Sequence, residues 1–176
     1  GPAIVCIHGL TANHVCWRSM ADILAPKYRL IGYDLRGRGE SDKPPAGYSL
    51  DQHGLDLGAL LDHFGLRKAV LMGHSLGAHI ALKFAVAHPE RVSKLVLVDG
   101  GIDVRAEIID SLGPAINRLG VEFPSLDAFL GIIRSLPMFA GRWNDYFERY
   151  FRYDVEALPS GAVRSKVSRG AIAEEL

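Results

Sequence analysis

At 176 residues the chain has room for one domain, or one domain with part of a second, and 48% hydrophobic against 23% charged residues gives it material for a core. Twenty basic and twenty acidic residues cancel to a net charge of zero, so nothing draws the chain toward nucleic acid or an anionic membrane, and both are discounted as partners. There is no apolar run of membrane-spanning length, no basic-then-apolar leader, and no metal or disulfide spacing in the two cysteines Cys6 and Cys16, so a cytoplasmic protein with reduced thiols is expected.

Residues 3–7 form a continuous apolar run of the kind buried on both faces of a parallel sheet, and they lead straight into His8-Gly9-Leu10. A loop through Asn13, His14 and Trp17 comes next, then Met20, Ile23 and Leu24 at helical spacing before Pro26. A second strand is expected over 28–33, ending in a glycine-punctuated turn over 34–42. Ser49 and Gln52 have the spacing of a capping box, and Leu57, Leu60, Leu61 and Phe64 carry a helical face until Gly65 stops it.

The apolar strand expected over 68–72 runs into Gly73-His74-Ser75-Leu76-Gly77, and Leu76, Ile80 and Phe84 then recur at helical spacing up to His88-Pro89. Strand, Gly-x-Ser-x-Gly and helix in that order describe a sharp turn that strains its central serine and exposes the hydroxyl, with glycines where the turn leaves no room for side chains. Ser75 is therefore the candidate nucleophile. A further apolar strand over 92–98 delivers Asp99-Gly100-Gly101. Strands alternating with helices imply an α/β fold, a doubly wound and mostly parallel sheet, whose ligands bind beyond the carboxyl ends of the strands, where Leu10, Ser75 and Asp99 all fall.

From 102 onward strand-like runs vanish and helical periodicity takes over, which divides the chain into a partial core over 1–101 and a helical cap over 102–176. Ser125 can cap a helix with Leu126, Phe129, Leu130 and Ile133 on one face, and Trp143, Tyr146, Phe147, Tyr150 and Phe151 form a second stripe. Nine of the fifteen aromatic residues lie between Phe123 and Tyr153, so an insert over the sheet edge would pack there, and its innermost rings would line the site. Residues 168–176 read as a helix with no terminating glycine or proline.

His8-Gly9-Leu10 with Trp17, the turn with Asp34, Arg36, Gly37, Gly39 and Ser41, and the motif around Ser75 followed by Val96-Leu97-Val98-Asp99 together resemble the α/β-hydrolase superfamily. Within it they resemble the lid-bearing esterase-like branch that includes carbon–carbon bond hydrolases and cofactor-free perhydrolases. The resemblance covers residues 1 to about 101, and beyond them it implies a helical cap. It implies two backbone oxyanion donors, the N–H groups of Leu10 and Leu76, which acyl transfer needs because negative charge develops on a carbonyl oxygen. A serine at position 75, where haloalkane dehalogenases and epoxide hydrolases use aspartate, points to an acyl-enzyme and to ester-like substrates with an apolar part.

The chain departs from the family order of nucleophile, acid and histidine: its last histidine is His88, and the general base is missing. His74 belongs to the turn, His79 lies along the helix away from the hydroxyl, His88 closes that helix, and His8 supports the oxyanion loop by local hydrogen bonds. His14, His53 and His63 read as surface groups. Asp99 is a candidate triad acid, and also a candidate loop-fixing residue. A core that opens in mid-sheet and a final helix without a stop lead to the expectation of a segment of a longer serine hydrolase, inactive alone. The alternatives are a non-catalytic relative that binds a small molecule, or a chain that self-associates through exposed sheet edges. No metal or organic cofactor is called for.

Overall fold

The structure, a computed structural model, describes residues 1–101 and 112–176. The expected boundary between core and cap begins at 102, outside the described residues. Four parallel strands, β1 (Ala3–Ile7), β2 (Arg29–Tyr33), β3 (Ala69–His74) and β4 (Val92–Val98), form a sheet in the order β2-β1-β3-β4. Alternation along β1 assigns its two faces. Val5 and Ile7 pack with Leu57, Leu61, Leu71, Ile80 and Phe84, while Ile4 and Cys6 pack with Trp17 and Met72 on the opposite side.

The first of those faces is covered by α2 (Leu50–His63) and α3 (Leu76–Ala87). The Ser49 hydroxyl caps α2 by accepting the Gln52 N–H at 3.2 Å, but the Gln52 side chain turns to Asp56 instead of reaching back, so half of the expected capping box forms. Gly65, at φ 64°, ends the helix as expected. On the other face a 3₁₀ turn at His14–Trp17 leads into α1 (Arg18–Leu24), and only Trp17 of that stretch is deeply buried. Met20 and Ile23 of α1 are exposed, and of the expected stripe only Leu24 packs inward, in the cluster with Trp17. The apolar strand β4 forms an edge, with Val96, Leu97 and Val98 all exposed.

Beyond the sheet come α4 (Gly113–Asn117), β5 (Glu122–Phe123), α5 (Leu126–Ser135), α6 (Asp145–Asp154), β6 (Val155–Ala157), β7 (Val163–Ser165) and α7 (Arg169–Glu175). Ser125, Asn144 and Ser168 cap α5, α6 and α7 through their side chains. The expectation that strands vanish here is corrected: β5, β7 and β6 form a small antiparallel sheet. Strands of two and three residues are too short for alternation to register in a sequence. Phe129, Leu130, Ile133, Phe151, Val155 and Val163 make a second core between this sheet and the helices. A junction of Leu10, Leu119, Val167 and Ile172, with Leu76 packed against it, joins the two parts of the molecule. Among the described residues no helix is long and apolar enough to cross a membrane.

Candidate active site

The chain leaves β1 toward β2 on one side and leaves β3 toward β4 on the other, so connections diverge between the carboxyl ends of β1 and β3. That divergence opens a crevice in parallel sheets, and both sequence motifs end in it. β3 runs through His74, and Ser75 turns the chain into α3 at φ 52° and ψ −119°, a conformation that strains any residue with a Cβ by about 1–3 kcal/mol. The turn is pinned by the Ser75 N–H to the Val98 carbonyl at 3.0 Å and by the Ala78 N–H to the Ser75 carbonyl at 2.8 Å. A Cβ on Gly73 would lie 2.1 Å from the Gly77 carbonyl oxygen, and one on Gly77 would lie 2.1 Å from that of Ile7. The flanking glycines are thus required by close backbone approach, while the strain falls on the serine. The half-buried Ser75 hydroxyl has no hydrogen-bond partner among the described residues.

After β1, the loop at Gly9 packs on this turn; a Cβ there would stand 3.0 Å from His74 Nδ1 and 3.3 Å from Ser75 Cβ. His8 is fully buried, and burial pushes its imidazole down to about 4, so it is neutral near pH 7. Its Nε2 accepts the Leu35 N–H at 2.9 Å, which leaves the proton on Nδ1 to be donated to the Gly9 carbonyl at 2.8 Å. The expected local support of the loop by His8 is present. Neither the Leu10 N–H nor the Leu76 N–H donates to another described residue, and the two leucines meet at the apolar junction. The structure therefore brings Leu10, Ser75 and Leu76 together.

Asp99 lies at the end of β4, exposed, at φ 48°. The adjacent Gly100 abuts the turn, its Cβ position being 2.7 Å from the Ser75 carbonyl oxygen. No described histidine pairs with Asp99, and none pairs with the Ser75 hydroxyl. His79 is half-buried on α3, and His88 is exposed and closes that helix with its N–H on the Phe84 carbonyl. His63 is exposed, as read from the sequence. His53 is not: it is fully buried, with Nε2 2.6 Å from the Glu175 carboxylate, which also pairs with the buried Arg38. His14 is half-buried against Asp34 at 3.0 Å. Burial opposes ionisation of Asp34, but hydrogen bonds from His14, Tyr153 and the Glu40 backbone outweigh it and hold the carboxyl well below its ordinary range. The Tyr153 contact ties α6 to the turn after β2.

A cavity of about 680 Å³ lies between the aromatic helices and the segment after Leu10. Phe123, Ile133, Phe139, Phe147, Tyr150 and Phe151 line much of it, with Thr11, Cys16 and Arg118 on one side. Four rings of the aromatic stripe face it, while Trp143 packs elsewhere, stacking on Phe151 at 5.8 Å and donating Nε1–H to Glu148 at 3.0 Å. Ser75 does not line the cavity, which approaches the turn through Thr11 alone in the loop after Leu10. Cys6 and Cys16 are free thiols, each pushed up to about 12 by burial, and so poor nucleophiles. Among the described residues no cluster of three or more His, Cys, Asp or Glu side chains is arranged to hold a metal ion. Sequence reasoning missed Arg38, Glu175, Arg118 and Asp154. A second arginine inside the glycine turn was the one visible signal, and the carboxylate partners lie 137 and 36 residues away.

A sequence model of the alpha/beta hydrolase fold matches residues 2–157. The chain is 30% identical over 133 residues to the 2-(acetamidomethylene)succinate hydrolase of Mesorhizobium japonicum, covering 74% of this chain and 48% of that protein. The crystal structure of an E-2-(acetamidomethylene)succinate hydrolase superposes with a TM-score of 0.88 at 26% identity, covering 99% of this chain and 64% of that one. An alpha/beta hydrolase from Novosphingobium aromaticivorans superposes with a TM-score of 0.78 at 30% identity, covering 98% of this chain and 61% of that one. The chain spans between 30% and 53% of the length of the first curated relatives it matches.

Proposed function

The chain belongs to the α/β-hydrolase fold family, and from that premise we propose that it carries the nucleophile half of a serine hydrolase of the lid-bearing, esterase-like branch. Residues 1–101 supply the core and 102–176 the cap. Ser75 attacks an acyl carbon, and the Leu10 and Leu76 N–H groups take the charge that develops on the carbonyl oxygen, helped by the amino end of α3. The observation that carries this reading is the strained Ser75 backbone between two glycines with no room for a Cβ, its hydroxyl without a partner among the described residues. The substrates are carboxylic esters or related activated carbonyl compounds with an apolar part, for which the aromatic cavity offers space. The compound named for the Mesorhizobium relative carries an acetamido carbonyl, which keeps acyl chemistry within reach of the fold. No cofactor enters this chemistry.

No histidine follows His88 in these 176 residues, so the base would come from residues outside them or from a second chain. Asp99 would serve as acid only with that imidazole. The test is labelling by a fluorophosphonate, with and without added imidazole as a substitute base. A single adduct on Ser75, faster with imidazole and absent in Ser75→Ala, is expected; its absence from the unaltered chain sinks the reading. Turnover of a p-nitrophenyl ester should be the same in the chain and in Ser75→Ala. Turnover that depends on Ser75 would mean that one of the seven histidines acts as base.

One observation favours a second reading, a non-catalytic small-molecule binder: the cavity is not lined by Ser75. An apolar ligand held equally by the chain and by Ser75→Ala, with no adduct in either, would support it.

A further inference from the structure

Two guanidinium groups reach the same loop from the interior. Arg38, whose side chain is 0% exposed, donates through Nε to the Leu10 carbonyl at 3.0 Å and through Nη1 to the Arg36 carbonyl at 2.9 Å. Its Nη1 and Nη2 together grip the Glu175 carboxylate of α7, which also holds His53 of α2. Arg118, at the end of α4, donates through Nη2 to the Thr11 carbonyl at 3.3 Å and through Nη1 to Asp154 and Ser165. Both carboxylates are buried, Glu175 at 2% and Asp154 at 1% exposure.

With His8 on the Gly9 carbonyl, three successive carbonyls of the loop, those of Gly9, Leu10 and Thr11, each accept a side-chain donor. Peptide units are rigid planes, so the Leu10 N–H shares one plane with the Gly9 carbonyl that His8 holds, while Arg38 and Arg118 hold the next two planes through the Leu10 and Thr11 carbonyls and so restrict the backbone rotation at Leu10 and Thr11 by which the first plane could turn. Charged donors hold a carbonyl more firmly than neutral ones, and a two-pronged carboxylate removes the freedom an arginine side chain would otherwise keep. We infer that Arg38 and Arg118 are positioning residues for the Leu10 N–H, and that Glu175 and Asp154 couple the packing of the C-terminal helices to the aim of that donor. This rests on the reading above, that Leu10 and Ser75 act together in acyl transfer.

The test follows the fluorophosphonate reaction at Ser75 in imidazole, whose concentration dependence separates the limiting rate from half-saturation. Arg38→Lys keeps the charge and loses the Nε donor; Glu175→Gln keeps the volume and loses the charge. Arg134→Ala is the control, since Arg134 pairs with Glu148 on the exposed side of the cap and touches no loop carbonyl. Loss of one donor outright typically costs roughly a hundredfold or more, and a misaimed donor should cost about tenfold. The expected result is a limiting rate about tenfold lower in Arg38→Lys and Glu175→Gln, half-saturation within about twofold, and Arg134→Ala unchanged. A purely structural role would lower melting temperature and leave the limiting rate of the folded protein alone. Limiting rates within about twofold of the parent in the folded variants, with Ser75 still labelled, overturn this inference and leave the proposed function standing. If Arg38→Lys does not fold, Glu175→Gln decides. If Ser75 of the parent is not labelled, both readings fall.

Discussion

Around Ser75 the shape is set by main chain against main chain, with Gly73, Gly77 and Gly100 each placed where a Cβ would meet backbone atoms at 2.1 to 2.7 Å. Across α5, α6 and the 3₁₀ turn Pro137–Phe139 between them it is set by rings against rings, with Phe139 5.0 Å from Phe147 and 5.4 Å from Phe151, and Phe129 6.3 Å from Phe151. Backbone contact of the first kind admits no substitute, because no rotamer relieves it. Ring packing of the second kind can be refilled by other apolar side chains of similar volume. The difference places the candidate nucleophile where the sequence has least freedom and the cavity lining where it has most.

The largest test of that contrast is to break the ring core. Phe129 is fully buried, and Phe129→Ala should cost about 3–5 kcal/mol by urea denaturation. Phe129→Leu should recover much of that loss. Gly77→Ala should cost about 3 kcal/mol with no compensating neighbour, and no second substitution at Ile7 should rescue it, since the clash is with the Ile7 main chain. Rescue would mean that the turn has more give than its glycines suggest.

A similar loss is expected from acid. His8 has a folded value of about 4 against an ordinary 6.5, so below pH 6.5 the unfolded chain takes up the proton first. Stability should therefore fall as pH drops from 6.5 to 4, by roughly 3 kcal/mol in all, and the slope from this group should vanish below 4. Asp34 loses its contribution at lower pH, because its carboxyl is held below the ordinary 3.8. Melting curves of the chain and of His8→Gln across that range separate the two. The smallest effect has the opposite sign: Ser75→Gly should stabilise the fold by about 1 kcal/mol, since strain relief outweighs the extra freedom of glycine in the unfolded chain. A loss of stability instead would show that Ser75 is not strained.

Local features were legible in the sequence. The glycines about Ser75 announced the turn, Ser49, Ser125 and Ser168 announced helix starts, and the stripe from Trp143 to Phe151 announced a packed helix. What was lost was non-local. His53 reads as a polar surface residue on α2 because nothing near it in the chain explains its burial; its partner Glu175 is 122 residues away. Met20 and Ile23 show the converse, a helical apolar spacing that faces solvent because the sheet beneath α1 is already covered by Trp17 and Leu24. The pairing of β5, β6 and β7 depends on chain reversals that two- and three-residue strands do not encode in their own pattern.

The tie between Arg38 and Glu175 also sets an order in time. At typical synthesis rates of about 5–20 residues per second, the 137-residue separation takes on the order of ten seconds to emerge, during which the guanidinium lacks the Glu175 carboxylate and the loop after β1 has the His8 anchor but not the Arg38–Glu175 clamp. A nascent chain can pair β1 with β3 and bend at Ser75 well before α7 exists. On the ribosome the serine would thus be shaped first and its surroundings tightened last, so an arrested chain ending between the two should expose a formed turn beside an unfinished loop.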